Sequence, residues 1–379
     1  MNKDKLFDVA IVGGGLAGLS LAIQLSMQGH AVILMEKEKY PFHRVCGEYI
    51  SMESWDFLIS LGVELEKINV PVISQLQLSA VNGKLIRQKL PLGGFGISRY
   101  FLDYTLVKLA RAAGVLVLDH TKVTGIEFSN ERFEISYANQ NLYARVAGGC
   151  YGKRSNMDIK WKRAFSTAAK NKLNNFIGVK YHIKTKFPMN TIALHHFKNG
   201  YCGLVKIEED KYNLCYLTTA DNLQQNKGDI KAMEKNILSV NPWLKKILAE
   251  SEMVNNSPVT ISQISFEKKS QVENHVLMIG DAAGMIAPLC GNGMSMALHG
   301  SKIAAVNIHD FLQDKITRAE MENRYRVQWQ QQFAQRLKMG RHFQRLFSNK
   351  WLTNIFIMLL KPFPKLLTFL IKQTHGKPF

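Results

Sequence analysis

Residues 6–36 read LFDVAIVGGGLAGLSLAIQLSMQGHAVILME. Leu6–Val12 is a short apolar run with β-branched members, the pattern of a strand buried on both faces. Gly13, Gly14 and Gly15 follow, and Leu16, Ala17 and Gly18 open a helical pattern that closes at Gly29. A second apolar run, Ala31–Met35, ends at Glu36. The order is strand, glycine turn, helix, strand, acid. Gly13 permits the tight turn, Gly15 leaves room for a pyrophosphate, and Gly18 lets the helix lie close on the strand. Backbone N–H groups at the helix start, around Leu16 and Ala17, offer partial positive charge to phosphates. Glu36 stands about 20 residues on, where a carboxylate accepts from ribose hydroxyls. An acid there favours an unphosphorylated ribose, hence FAD or NAD over NADP.

The 379 residues suit one large domain or two intimately joined ones. Cysteines at 46, 150, 202, 215 and 290 form no C-x-x-C pair, which reads as reduced cytosolic thiols and neither a disulfide framework nor a metal site. The N-terminus carries no signal-peptide apolar region, and no uncharged apolar stretch has bilayer-spanning length. Net charge is +19, and no Asp or Glu follows Glu322, whereas eleven Lys or Arg do. Residues 151–187 repeat the bias, with Asp158 as the sole acid. An anionic membrane face fits this charge better than nucleic acid, because no nucleic-acid motif accompanies it.

Further along, Pro41 and Gly47 make 37–50 a loop, and SMESWDFLISLG reads as a short helix over Met52–Leu61. Asn82-Gly83 marks a hairpin within 70–92, and Gly93–Gly96 reads as a glycine loop. Ser98 starts a helix that stops at Gly114, Val115–Leu118 is a strand, and Val123–Phe128 with Arg132–Tyr137 forms a hairpin. Residues 153–187 are basic and loop-rich, with a helix near Thr167–Leu173. Strands are expected at 177–186, 190–197, 201–207 and 212–219, forming a mostly antiparallel sheet inserted into the nucleotide-binding fold. Residues 228–250 read as helix, Val259–Phe266 and His275–Ile279 as strands, and 319–347 as a long polar helix.

Three separated blocks now align: Gly13-Gly15-Gly18 with Glu36, Arg99 in GISRYFLDYTLVKLARAAGV, and Gly280-Asp281 in VLMIGDAAGMIAPLCGNGMSMALHG. Together they resemble the flavoprotein superfamily of p-hydroxybenzoate hydroxylase-like monooxygenases, geranylgeranyl reductases and flavin-dependent halogenases, over about residues 5–310. The resemblance implies FAD as cofactor. It implies an α/β fold, a Rossmann-like FAD-binding domain from 1–70, 93–175 and 255–315. A substrate-binding sheet domain is expected from 71–92 and 176–254, and a basic helical region from 316–379. It places Arg44 and Arg99 on the FAD phosphates, with Lys37 and Val123 completing the adenosine end. Asp281 follows a buried strand and is expected on the ribityl chain. Gly291, Gly293 and Met294, at the start of a helix, would face the flavin pyrimidine edge and stabilise negative charge on a reduced flavin.

In the hydroxylases an Asp-Gly motif serves FAD and NAD(P)H. Here Tyr151 stands before Gly152, so the reductant is NAD(P)H used in another manner, or a different donor such as an electron-donor protein. Cys46-Gly47-Glu48 resembles the cysteine-glycine loop of geranylgeranyl reductases. Cys46 would lie by the isoalloxazine or pack as an inert thiol, and Glu48 would serve as general acid or base if desolvated, or else as a solvated loop carboxylate. The tryptophan-rich halogenase motif is absent. Phe197, Tyr201, Tyr216 and Pro288 are expected to line the substrate pocket. Residues 351–371, WLTNIFIMLLKPFPKLLTFLI, hold two apolar pieces broken by prolines. They either lie in a membrane interface, peripheral on its inner face, or pack as ordinary helices on the FAD domain.

The resulting expectation is a cytoplasmic FAD-dependent oxidoreductase acting on a small apolar molecule. First comes a monooxygenase hydroxylating an aromatic or polyketide-like substrate through a flavin hydroperoxide. A reductase of prenyl or lipid double bonds is the alternative, and a non-catalytic FAD-binding membrane-associated protein is the reading from another class.

Overall fold

The computed structural model describes residues 6–167, 175–255, 257–347, 358 and 360–379. Strand β1 (Leu6–Val12) passes through the glycine turn into α1 (Leu16–Met27) and β2 (Val32–Met35). β3 (Tyr49–Ser51), α2 (Trp55–Ser60) and α3 (Leu65–Ile68) come next, then the hairpin β4 (Val72–Ser79) and β5 (Leu85–Gly96). Helix α4 (Arg99–Ala112) starts at Ser98, whose hydroxyl accepts from the Phe101 N–H at 3.1 Å. β6 (Leu116–Leu118), β7 (Val123–Ser129), β8 (Arg132–Tyr137) and β9 (Gln140–Gly149) lead to α5 (Asn156–Lys160) and α6 (Ala164–Thr167). Beyond Thr167, the helix expected near Thr167–Leu173 falls outside the described residues.

The inserted sheet supplies β10 (Phe176–Lys184), β11 (Thr191–Phe197), β12 (Gly200–Lys206) and β13 (Tyr212–Thr219). Helices α7 (Ala220–Gln225), α8 (Ile230–Asn236) and α9 (Pro242–Glu250) follow. The single helix expected over 228–250 is thus two. Asn241 caps α9 by accepting from the Trp243 N–H at 2.9 Å, and Pro242 sits at its first turn, where a missing N–H costs nothing. The chain closes with β14 (Glu252–Met253), β15 (Val259–Ile264), β16 (Val272–Glu273), β17 (Val276–Met278), α10 (Gly293–Leu312), α11 (Arg318–Phe347) and α12 (Pro364–Lys372).

Two sheets result. In the first, β17, β9, β1, β2 and β6 are parallel neighbours in that order, with β16 at one end and the β7–β8 hairpin paired to β9. β9 was not foreseen as a strand. It places Cys150 directly after β1's neighbour, so that a side chain at Gly13 would collide with the Cys150 carbonyl. Helix α1 packs on β1 and β2 and takes α4 and α10 against it, and α4 also packs on β6. The second sheet runs β14-β10-β13-β12-β11-β4-β5-β3, with β15 beside β10. Every pairing in it is antiparallel except β11 with β4.

Gly93–Gly96, expected as a loop, is the end of β5, and Tyr49–Ser51 in the expected 37–50 loop is its partner β3. The glycines serve close packing there: a Cβ at Gly94 would enter the Tyr49 ring, and one at Gly96 the Lys206 carbonyl. The second sheet therefore reaches into segments assigned above to the FAD domain.

Helices α8 and α9 cover one face of the second sheet. Ile177, Val179, Phe197, Tyr216, Met233 and Leu244 form a core there. The other face turns toward the first domain. Helix α11 sends Tyr325, Trp329 and Phe333 into the first core, and the Tyr325 hydroxyl donates to the Met278 carbonyl at 2.5 Å. The tail breaks as expected, with a turn over 361–363, and Pro364 then starts α12, whose Leu367 packs with Leu78 and Ile86 of the second sheet. Apart from Met358 and Leu360, the first apolar piece of the tail lies outside the described residues. No helix among the described residues is long and apolar enough to cross a membrane.

Candidate active site

The glycine turn is drawn tight around Gly14. Its N–H donates to Glu36 Oε2 at 2.9 Å, and its carbonyl accepts from the Tyr40 hydroxyl at 2.5 Å. Gly13 holds φ +107°, a backbone region open to glycine. A Cβ at Gly18 would strike the Gly13 carbonyl, so α1 reaches the strand only with glycine there. Gly15 differs: a Cβ would meet one neighbour alone, the Arg99 guanidinium at 3.4 Å. The start of α1, at Leu16 and Ala17, is thus an open cradle with a cation beside it.

Two arginines converge on that cradle through an acid not foreseen from the sequence. Buried Asp103 accepts from Arg99 Nε and Nη2, both at 2.8 Å, and from Arg44 Nε at 3.1 Å. Arg44 also donates to Glu36 Oε2 at 2.9 Å. Burial opposes the charge on Arg99, but the Asp103 pair outweighs it and raises its pKa. Asp103 follows Arg99 by four residues, the spacing of a pair on one helix face, and that spacing is the signal that could have revealed it. Lys37, expected at the adenosine end, instead points to Glu38 at 3.5 Å and is exposed. Val123 opens β7 and is buried, just after Thr121, whose N–H donates to the Glu36 carbonyl at 2.7 Å.

At the other end, Asp281 is partly exposed after β17. Its backbone carbonyl accepts from Lys269 Nζ at 2.8 Å, and among the described residues its carboxylate has no hydrogen-bond partner. Burial lowers Lys269 to about 8, with Asp281 working in the opposite sense. Gly291 adopts φ +65°, and α10 begins at Gly293 with Met294 buried behind it. A Cβ at Gly293 would find only Ile286, at 3.8 Å, so this helix start is open as well. The two open helix starts, the paired arginines and the free carboxylate fit a dinucleotide with pyrophosphate, ribityl and ring ends.

Tyr151, in place of the hydroxylase aspartate, donates to Asp158 Oδ1 at 3.1 Å and accepts from Arg163 at 3.3 Å. Arg163 is buried and also holds Asp158 at 2.8 Å and the Ala282 carbonyl at 3.1 Å. This cluster fastens 151–163 to the segment carrying Asp281.

Glu48 is neither a solvated carboxylate nor a mobile acid. It is fully buried and accepts from the Arg99 N–H at 2.8 Å, from His182 Nε2 at 2.7 Å and from Lys180 Nζ. Burial pushes its carboxyl up, but Lys180 and His182 outweigh this and hold it below the ordinary range. A carboxylate so fixed stays ionised and has no proton to give. Such an anion does not serve as a general acid; its three donors give it a positioning role, tying the Cys46 loop to the second sheet. Cys46 itself is half-buried beside Arg99, with its carbonyl accepting from Asn213 Nδ2 at 3.0 Å.

The expected pocket residues divide. Phe197 and Tyr216 lie on the far face of the sheet under α8 and α9, where the Tyr216 hydroxyl donates to Glu234 at 2.7 Å. Strand alternation puts them there, because their neighbours one residue away face inward. Tyr201 is on the inner face, packed with Leu217, Met285 and Leu289. Pro288 is exposed, and the three residues after it matter more. Leu289, Cys290 and Gly291 border an apolar cavity whose roof is Leu76, Leu78 and Leu194 of the sheet. Phe343 of α11 and the tail complete the wall, the tail through Leu367, Leu370 and Ile371 of α12, followed by Thr374 and His375. Among the described residues lining it, none is Asp, Glu, Lys or Arg. Tyr49 borders both the cavity and Gly291, and among the described residues its buried hydroxyl has no hydrogen-bond partner. Burial pushes the His375 imidazole down, which keeps that wall uncharged. The tail is locked to the start of α10, since Asn292 Nδ2 donates to the Thr374 carbonyl at 2.8 Å.

Comparison with known proteins agrees with this geometry. A digeranylgeranylglycerophospholipid reductase of Methanococcus vannielii is 24% identical, over 86% of this chain and 83% of its own. The conditioned medium factor receptor 1 of Dictyostelium discoideum is 22% identical, over 89% of this chain and 70% of its own. Among solved structures, the flavin-dependent brominase Bmp2 superposes with TM-score 0.79 at 18% identity, covering 98% of this chain and 93% of that one. A geranylgeranyl bacteriochlorophyll reductase-like protein of Thermoplasma acidophilum gives 0.78 at 17%, covering 99% and 97%. The sequence profile of the FAD binding domain family matches residues 7–319. With the nucleotide cradle, the arginine pair and the profile in agreement, the chain belongs to the FAD binding domain family and is an FAD-dependent oxidoreductase.

Proposed function

We propose that this enzyme reduces carbon–carbon double bonds in a prenyl or related lipid chain held in the cavity between the second sheet and α12. The cavity's lining carries the proposal: aliphatic side chains on three sides, and on the fourth the loop 289–291 that leads into α10. Such a wall gains free energy from burying aliphatic surface, at about 25 cal/mol per Å². It offers nothing to balance a charged ring substituent. FAD, when bound, supplies the two-electron redox centre. Gly15, Arg44 and Arg99 would hold its phosphates, Asp281 its ribityl hydroxyls, and the N-terminus of α10 the pyrimidine edge. Leu194 and Leu370 would position the chain and exclude water, and the Tyr49 hydroxyl is free to bond one neutral polar group of the substrate. The relative from Methanococcus vannielii, whose name is that of a prenyl-lipid reductase, supports the same reading.

Hydroxylation of an aromatic or polyketide-like ring is the second reading, and the unpartnered Tyr49 hydroxyl favours it, because a phenol or ketone needs one such contact. The test is anaerobic. FAD-loaded enzyme reduced with dithionite, then mixed with a geranylgeranyl lipid, is expected to return to the oxidised flavin spectrum and to yield a product heavier by one H2 per bond saturated. Leu194→Trp, which fills the cavity, should raise KM with FAD retained. Oxidation that requires O2 and gives an oxygenated product would overturn the proposal in favour of the second reading.

A further inference from the structure

Helix α12 has two apolar faces, and among the described residues only one is covered by the fold. Leu367, Leu370 and Ile371 turn inward to the cavity, and the Thr368 hydroxyl accepts from Gln88 Nε2 at 3.1 Å to pin the helix on β5. The outward face shows Phe363 at 58% exposure, Leu366 at 47% and Phe369 at 56%. These follow one another at three-residue spacing, so they form one stripe. Large apolar side chains exposed contiguously are uncommon on a monomer and mark an interaction surface. Lys361, Lys365 and Lys372 flank the stripe and are exposed, and among the described residues none has an ion-pair partner. The chain offers no acid near them in sequence, since none follows Glu322. Charge of one sign around a stripe of Phe and Leu complements an anionic lipid surface: the rings enter the headgroup boundary and the ammonium groups meet phosphates. A protein partner would require acids matched to these lysines. A second copy of this chain cannot supply them from its own tail.

We infer that α12 docks the enzyme on an anionic bilayer through Phe363, Leu366 and Phe369, with Lys361, Lys365 and Lys372 as the electrostatic contacts. The helix then stands with lipid on one side and the apolar cavity on the other, only one helix diameter apart. This docking stands independently of the double-bond chemistry proposed above.

Flotation of the FAD-loaded full chain with vesicles tests it. Binding to mixed phosphatidylcholine–phosphatidylglycerol vesicles is expected, with far weaker binding to phosphatidylcholine alone and loss on raising salt. Phe369→Ser should weaken partitioning about tenfold or more, and Lys365→Gln about fivefold. Both positions are on the outer surface, so the flavin spectrum and the melting temperature of the FAD-loaded protein should stay at parental values. Failure to float with anionic vesicles, or equal flotation of Phe369→Ser and parent, would overturn the inference. So would light scattering that shows a dimer dissolved by Phe369→Ser together with no vesicle binding, because the stripe would then be covered by a second copy.

Discussion

Replacing Glu48 by glutamine keeps the side chain's volume and removes its charge. The amide oxygen can still accept from the Arg99 N–H, now bonded at 2.8 Å. Lys180, however, is left buried without its anion, and the new amide NH2 is a donor where His182 Nε2 and Lys180 Nζ require an acceptor. Breaking one side of a buried ion pair costs about 3–5 kcal/mol. At about 2.1 cal/mol/K per residue the unfolding entropy of the 379-residue chain is roughly 0.8 kcal/mol/K. Glu48→Gln should therefore lower the melting temperature by about 4–6 °C in one cooperative transition. The pH dependence gives a second reading of the same interaction. The folded carboxyl of Glu48 lies below its ordinary value of 4.5. Its ionisation stabilises the fold at every pH above that value, and the contribution is lost as pH falls through the depressed folded value. The gap in melting temperature between parent and variant should hold constant from neutral pH down to about 4.5 and narrow below it. Differential scanning fluorimetry on the FAD-loaded proteins across that range measures both. A variant that melts with the parent at neutral pH but no longer turns over would refute the reasoning and restore Glu48 as an acid or base.

Two other substitutions test the nucleotide cradle and the placement of the sheet. Gly18→Ala sets a methyl against the Gly13 carbonyl, so the variant should purify without bound flavin and fail to recover its absorbance when FAD is added. Tyr216→Phe removes the hydrogen bond to Glu234 on the helix-covered face of the sheet. It should cost about 1 kcal/mol in denaturant unfolding and leave KM unchanged, whereas a change in KM alone would return Tyr216 to the substrate pocket.

Much of the cradle was legible because its residues are neighbours in sequence. Gly13 to Gly18 and Glu36 sit within one β-α-β unit, and Ser98 caps its own helix three residues on. Arg99 could be placed for the same reason. Asp103 is four residues away and hidden in the sequence all the same, because an arginine next to a dinucleotide turn reads as a phosphate ligand and its internal ion pair appears only in the fold. The glycines at 94 and 96 misled in the opposite way. They read as a loop by composition, but each is glycine because another strand's atoms occupy the place of its side chain.

The sequence by itself determined the parts whose physics is local: the dinucleotide turn, the capped helices, the alternating strands of the inserted sheet and the basic, acid-free tail. Only the tertiary structure decided which sheet face meets which layer. Alternation says that Phe197 and Tyr216 share no face with their immediate neighbours, yet it is silent on whether helices or a cavity lie opposite. Only the folded chain could bring Lys180 and His182 to Glu48 from 132 and 134 residues away, turning an exposed-looking acid into a buried anion. The tail's second apolar piece was ambiguous for the same reason. Its hydrophobic residues favour burial equally well in protein or in lipid, and the structure resolves this by giving Leu367 and Ile371 to the cavity while leaving Phe363 and Phe369 outside.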